Sequence, residues 1–139
     1  MSVDVKQYDI PEGFTHWQGD PAEDAVGPFF FKFEDGVLKS AFRVEERHCN
    51  SHQTMHGGLL MMFADYTHCI AANGGKQESV TTVTCSNEFV SPGLPGHLLI
   101  GTGEVIRKGG SLVFVRVTIR DGDQVVLTSS AVVKRLSKR

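Results

Sequence analysis

The chain has 139 residues, of which 40% are hydrophobic and 22% charged, with a net charge of -2 and a sequence pI near 6.3. That length fits a single domain over residues 1–139 that buries its own core, and the charge balance argues against nucleic-acid binding by bulk electrostatics. Cys49, Cys69 and Cys85 form neither a C-x-x-C pair nor a dense even framework, and the first residues hold no apolar stretch flanked by bases; reduced thiols, no leader peptide and a cytoplasmic location are expected.

Residues 1–27 mix charges with Pro11, Pro21, Gly13 and Gly19 and keep no sustained period. They read as an irregular segment with one short helix near Pro11 to Gln18, and Phe14 and Trp17 are expected to dock on the domain body rather than line a pocket. Residues 29–34 are an aromatic run, followed by Asp35-Gly36 and a second strand-like run over residues 37–45. An Asp-Gly pair there predicts a hairpin, because both central turn residues must tolerate positive φ. In the second run Leu38, Ser40, Phe42 and Val44 alternate with Lys39, Ala41 and Arg43, so one face is buried.

His48, His52 and His56 recur every four residues beside Cys49, a spacing that on a helix would align three imidazoles for a metal. The surrounding glycines and polar residues predict a loop instead, and no metal is expected. Asn50, by residue type alone, is a turn or capping residue.

The stretch NSHQTMHGGLLMMFADYTHCIAA, residues 50–72, opens polar and then turns almost wholly apolar. Leu59, Met62, Phe63, Tyr66 and Ile70 share one helical stripe and Leu60, Ala64, Thr67 and Ala71 the next, which predicts a helix buried on nearly every side. Asp65 lies inside it, where an ionised carboxylate costs about 3 kcal/mol or more unless something holds it. Asp65 is either a structural acceptor or a base. Gly57 and Gly58 stand at the front of the same helix, where backbone amides lack helical partners and sit at the positive end of the dipole. Donors and a base on one element suggest acyl-transfer chemistry. Gly58 and Asp65 are seven residues apart, roughly 10 Å along a helix axis, too far to serve one carbonyl from one copy. Two helices packed antiparallel in a twofold dimer would bring the amide of one subunit to the carboxylate of the other.

Asn73-Gly74-Gly75 ends the helix with residues suited to left-handed backbone. The β-branched run from Val80 to Val90 suits a strand, with Thr82, Thr84, Ser86 and Glu88 on one face and Val83, Cys85, Asn87 and Phe89 on the other. Three more strands follow. The first, from His97 to Lys108, carries Gly101 and Gly103 on one side, where something is expected to approach the backbone closely. In the next, Val113, Val115, Val117 and Ile119 alternate with Phe114, Arg116, Thr118 and Arg120. The last runs from Val125 to Leu136 and ends in a basic, frayed tail. Arg107 and Lys108 before Gly109-Gly110 offer charges and free amides for phosphates, although such residues are ordinarily just solvated. The order β-β-α-β-β-β-β has one helix for about six strands, so the sheet should curl around it and leave surface for a partner subunit.

Asn50, then five residues, His56-Gly57-Gly58, then six residues and Asp65 resembles the phenylacetyl-CoA thioesterase (PaaI-like) branch of the hotdog-fold acyl-CoA thioesterases, over residues 29–136. The resemblance implies an α+β hotdog fold, a long helix wrapped by a curved antiparallel sheet, and hydrolysis of an acyl- or aryl-CoA with no cofactor beyond the CoA of the substrate. It implies a homodimer or homotetramer; the charge balance leaves no nucleic-acid partner expected, and the apolar run of residues 59–72 is too short and interrupted to span a membrane. It places the thioester carbonyl on the amides of Gly57 and Gly58 with help from Asn50, makes Asp65 a general base or nucleophile, and matches Thr82 to a hydroxyl-bearing position that would hold the water. His56 would fix the loop or bond near the leaving thiolate, and Arg107, Lys108, Gly109 and Gly110 would meet CoA. Two competing readings use the same fold. A non-catalytic acyl-CoA-binding module would not need to bury Asp65 beside its ligand, and a hydratase would carry its acid ahead of the helix.

Overall fold

The computed structural model describes residues 3–136. Its strands are β1 (Thr15–His16), β2 (Phe30–Glu34), β3 (Val37–Arg43), β4 (Val80–Phe89), β5 (Leu98–Lys108), β6 (Leu112–Asp121) and β7 (Gln124–Arg135), and its helices α1 (Pro21–Val26) and α2 (Gly57–Asn73). One antiparallel sheet runs in the order β1-β2-β3-β5-β6-β7-β4. The chain leaves β3, forms α2, crosses to β4 at the far edge and returns to β5 beside β3. α2 therefore lies across the sheet and touches β3, β4, β5, β6 and β7. This is the wrapped helix that the sequence predicts, with a seventh strand supplied by the two residues of β1.

Packing between helix and sheet follows the alternation of the strands. Phe63, Ala64 and Ala71 of α2 meet Leu38, Leu99, Val113, Val115, Val117 and Val133, all buried in one apolar cluster. The two strand glycines admit the helix. A Cβ on Gly101 would stand 2.2 Å from Ser40 Oγ, and one on Gly103 would stand 3.1 Å from the Ala71 side chain. In the space left by Gly101, the hydroxyls of Ser40 and Thr67 lie 2.7 Å apart, and Thr67 also donates to the Phe63 carbonyl at 2.8 Å. These two buried hydroxyls are thus paired rather than stranded.

Three expectations change. The short helix of the N-terminal segment covers Pro21–Val26 instead of Pro11 to Gln18, because Asp20 Oδ1 accepts from the Glu23 amide at 3.0 Å and Pro21 suits the first turn. α2 is not enclosed all round: Gly58 and Met61 are exposed, and Met62, Asp65 and Cys69 half-buried, which leaves one open stripe. The faces of β4 are divided differently, because Val83 is an extra residue between Thr82, paired with Val133, and Thr84, paired with Val132. The bulge leaves Thr82 on the helix side with Cys85 and Asn87. A similar shift at Ile106 ends the regular alternation of β5.

Phe14 docks as expected, buried with Ile10, Phe30 and Ala41. Trp17 packs its ring 6.0 Å from that of Phe31 but, against expectation, also lines a cleft, because the N-terminal segment lies beside α2. Of the basic tail, residues 137–139 lie outside the described residues.

Candidate active site

α2 begins on His56. Its Nδ1 accepts the Gly58 amide at 3.0 Å, and its carbonyl accepts from Leu59 and Leu60, each at 3.0 Å. Of the helix's opening amides only that of Gly57 has no partner among the described residues. The expected pair of glycine donors is therefore reduced in this geometry to one, since a ring nitrogen already occupies Gly58. His56 is the cap that makes the difference. Gly57 faces Phe89 of β4, whose ring would lie 3.4 Å from an added Cβ.

Asn50 holds the loop before the helix. Its Oδ1 accepts from the amides of His52 at 2.9 Å and Thr54 at 3.3 Å, and from the Thr54 hydroxyl at 3.3 Å. The capping role anticipated from residue type is real, and it fixes the amide plane while its NH2 group takes no part. His48 does not turn toward the other imidazoles: it is buried, with Nδ1 accepting from the Glu45 amide at 2.9 Å and its ring 4.6 Å from Phe42. Among the described residues no group of three or more His, Cys, Asp or Glu side chains is placed to hold a metal.

Asp65 sits halfway along α2 on its open stripe. Thr82 donates its hydroxyl to Asp65 Oδ1 at 2.5 Å, and Cys69, one turn on, has its sulfur 4.0 Å from the same oxygen and 3.4 Å from Thr82 Oγ1. Without the bulge at Val83 strict alternation would turn Thr82 outward with Thr84. Burial pushes the Cys69 thiol up to about 11, with the Asp65 charge adding to it, so Cys69 presents a neutral thiol beside the carboxylate.

A cleft of about 660 Å³ opens against this carboxylate, between Asp65, Tyr66 and Cys69 of α2 and Trp17, Asp20 and Glu23 of the N-terminal segment. The sequence carries no signal for that meeting. Asp20-Pro21 marks the start of α1, but what brings the helix to Asp65 is tertiary: Arg47 donates to the carbonyls of Ala25 and Gly27. Glu23 has its carboxyl pushed up to about 8, first by burial and then by Asp20, Asp24 and Asp65. Tyr66 is buried with its hydroxyl unpartnered among the described residues, and burial, then Glu23, raises its pKa.

Arg107 and Lys108 are exposed at the end of β5, in the hairpin to β6. Arg107 lines a hollow of about 430 Å³ with Phe114 and Arg116 on the side of the sheet away from α2. Within one copy it is not brought together with Asp65. Gly109 gives its amide to the Leu112 carbonyl at 2.8 Å, so this amide is not free for a phosphate as expected. Gly110 has open space where a Cβ would stand.

Comparison with known proteins bears on the family and the fold. The model of the thioesterase superfamily matches residues 52–128. A Pseudomonas aeruginosa protein that carries an esterase name is 30% identical over 127 residues, 88% of this chain and 95% of its own length. The acyl-coenzyme A thioesterase PaaI of Escherichia coli is 28% identical over 93 residues, 67% of this chain and 66% of its own. The solved structure of the E. coli PaaI protein superposes with a TM-score of 0.78 at 23% identity, covering 86% of this chain and 87% of that one.

Proposed function

Because this chain belongs to the thioesterase superfamily, and its reaction class is thioester hydrolysis, we propose that its substrate is an acyl-CoA and that Asp65 and the start of α2 do the chemistry across two subunits. The observation that carries the assignment is Asp65 itself, held by Thr82 at 2.5 Å on the wall of a cleft. A purely structural carboxylate would be closed off by its partners. One oxygen of Asp65 takes the Thr82 hydrogen bond, and the other is left to a water.

In this reading Asp65 withdraws a proton as the water attacks the thioester carbonyl, or attacks the carbonyl itself to give an anhydride that water then hydrolyses; in either case the C–S bond breaks as the tetrahedral carbon collapses, and CoA leaves as the thiol with the proton taken from water. The developing oxyanion lies on the Gly57 amide and the Asn50 NH2 group, each donor contributing roughly 3 kcal/mol where water is excluded. Gly57 is eight residues before Asp65, about 12 Å along the helix axis, so the amide and the carboxylate that meet at one carbonyl come from different copies. The open stripe of α2 supports such a pairing. So does β4, the terminal strand of the sheet among the described residues, with Val83 and Phe89 exposed. Thr82 orients the carboxylate, and His56 sets the start of the helix.

Release of CoA thiol measured over a panel of short, long and aryl acyl-CoA substrates tests the proposal. Asp65→Asn, which keeps the shape and removes the base, is expected to lower kcat by about 10²- to 10⁴-fold. Turnover equal to wild type would remove Asp65 from the mechanism.

A further inference from the structure

The mechanism asks Thr82 to hold Asp65 in one orientation, and a threonine hydroxyl does not do that unaided. It has a single proton and two acceptor lone pairs, and it turns about its C–O bond to suit its neighbours. The proton goes to Asp65, because an ionised carboxylate only accepts and its Oδ1 stands 2.5 Å from Thr82 Oγ1. What keeps the proton there depends on the group that donates to the hydroxyl oxygen. Cys69 lies one turn after Asp65 on the half-open stripe of α2, with its sulfur 3.4 Å from Thr82 Oγ1 and 4.0 Å from Asp65 Oδ1. Burial first, and then the Asp65 charge, hold this thiol up at about 11, so the sulfur keeps its proton at neutral pH. Thr82 has already given its one proton to Asp65, and the contact with Cys69 therefore runs from sulfur to oxygen.

We propose that Cys69 is a positioning residue for the hydrolysis: its S–H donates to Thr82 Oγ1, fixes the hydroxyl in the rotation that serves Asp65, and so keeps the second carboxylate oxygen turned toward the water. This rests on the reading above in which Asp65 is the base. The three side chains form a directed chain, Cys69 to Thr82 to Asp65, in which each donor polarises the next. Two elements build it. α2 sets the acid and the thiol four residues apart on one face, and the bulge at Val83 turns the hydroxyl of β4 toward both. No bond to sulfur forms or breaks, since the thiol acts only through Thr82.

The test sets a substitution that keeps a donor against one that keeps bulk. Cys69→Ser retains a hydrogen to give to Thr82 but loses volume, whereas Cys69→Val fills the space and gives nothing. With thiol release measured on an acyl-CoA that wild type turns over, Cys69→Ser is expected to stay within about twofold of wild-type kcat. Cys69→Val is expected to lower kcat about fivefold at unchanged KM, the scale of one net hydrogen bond. In a Thr82→Val background, where no hydroxyl remains to be oriented, the gap between the two variants is expected to close. Cys69→Val as fast as Cys69→Ser, or faster, would reduce the side chain to packing and overturn the proposal. A gap that persists in the Thr82→Val background overturns it as well, because the thiol would then act by another route. Either result leaves hydrolysis through Asp65 standing. Wild type that releases no thiol from any acyl-CoA overturns that reading, and the role of Cys69 with it.

Discussion

His68 shows how much a single residue can cost when the fold buries it. It is fully enclosed, with Nε2 2.8 Å from Ser129 Oγ and Nδ1 unpartnered among the described residues, and burial pushes its pKa down to about 4 from 6.5. In the fold the ring stays neutral, whereas the unfolded chain takes up a proton below pH 6.5. Stability present above pH 6.5 is therefore lost as pH falls toward 4, by up to about 3 kcal/mol from this group. His48, lowered first by burial and then by the Arg47 charge, acts in the same direction. Denaturant midpoints measured from pH 7 to pH 4 should fall accordingly, and His68→Gln should flatten the fall; an identical slope in the variant would assign the loss to other groups. At this scale Asp65 was legible as an acid set inside an apolar run, although residue type alone left it either a structural acceptor or a base. Glu23 and Tyr66 were not, since one sits in a segment without period and the other reads as core, and only docking of that segment brings them together.

Among the elements, α2 and the β2–β3 and β5–β7 strands follow from period and turn chemistry, and Gly101 and Gly103 were correctly marked as points of close approach. The structure adds what approaches. Gly101→Ala would place a Cβ 2.2 Å from Ser40 Oγ and 3.3 Å from Thr67 Oγ1, with both hydroxyls committed to each other. Overpacking of this kind costs roughly 1–3 kcal/mol. Unfolding of Gly101→Ala should show that loss, and Ser40→Ala in the same chain should recover part of it. No recovery would mean that the strand rather than the hydroxyl resists the methyl group. The faces of β4 were misread for a local reason. A bulge leaves no mark in a run of threonines and valines, yet the one at Val83 decides whether Thr82 meets Asp65 or solvent. α1 was missed although Asp20-Pro21 is a sound start signal, because six residues are too few to show a helical period.

At the scale of the whole molecule, the half-open stripe on α2 and the unpaired margin at β4 leave a fold that one helix cannot finish covering. The sequence anticipated that shortage from the count of helices against strands, although it overstated how fully α2 is enclosed. If the site is shared, a chain with Asp65→Asn and a chain with Asn50→Ala damage different halves of it. Mixed and allowed to exchange, the two inactive proteins should regain about a quarter of wild-type turnover, because random pairing makes half the dimers mixed and each of these has one intact site. Persistent inactivity of the mixture would place both groups in one copy.

The superfamily match over residues 52–128 takes in Gly57, Asp65 and Thr82 but stops short of Trp17, Asp20 and Glu23. The cleft beside Asp65 is thus walled by one stretch inside the match and one outside it, joined through contacts such as that of Arg47 with the carbonyls of Ala25 and Gly27. Exchanging the leading segment for another would therefore rebuild one wall of that cleft while leaving the central helix and the strand beside it as they are.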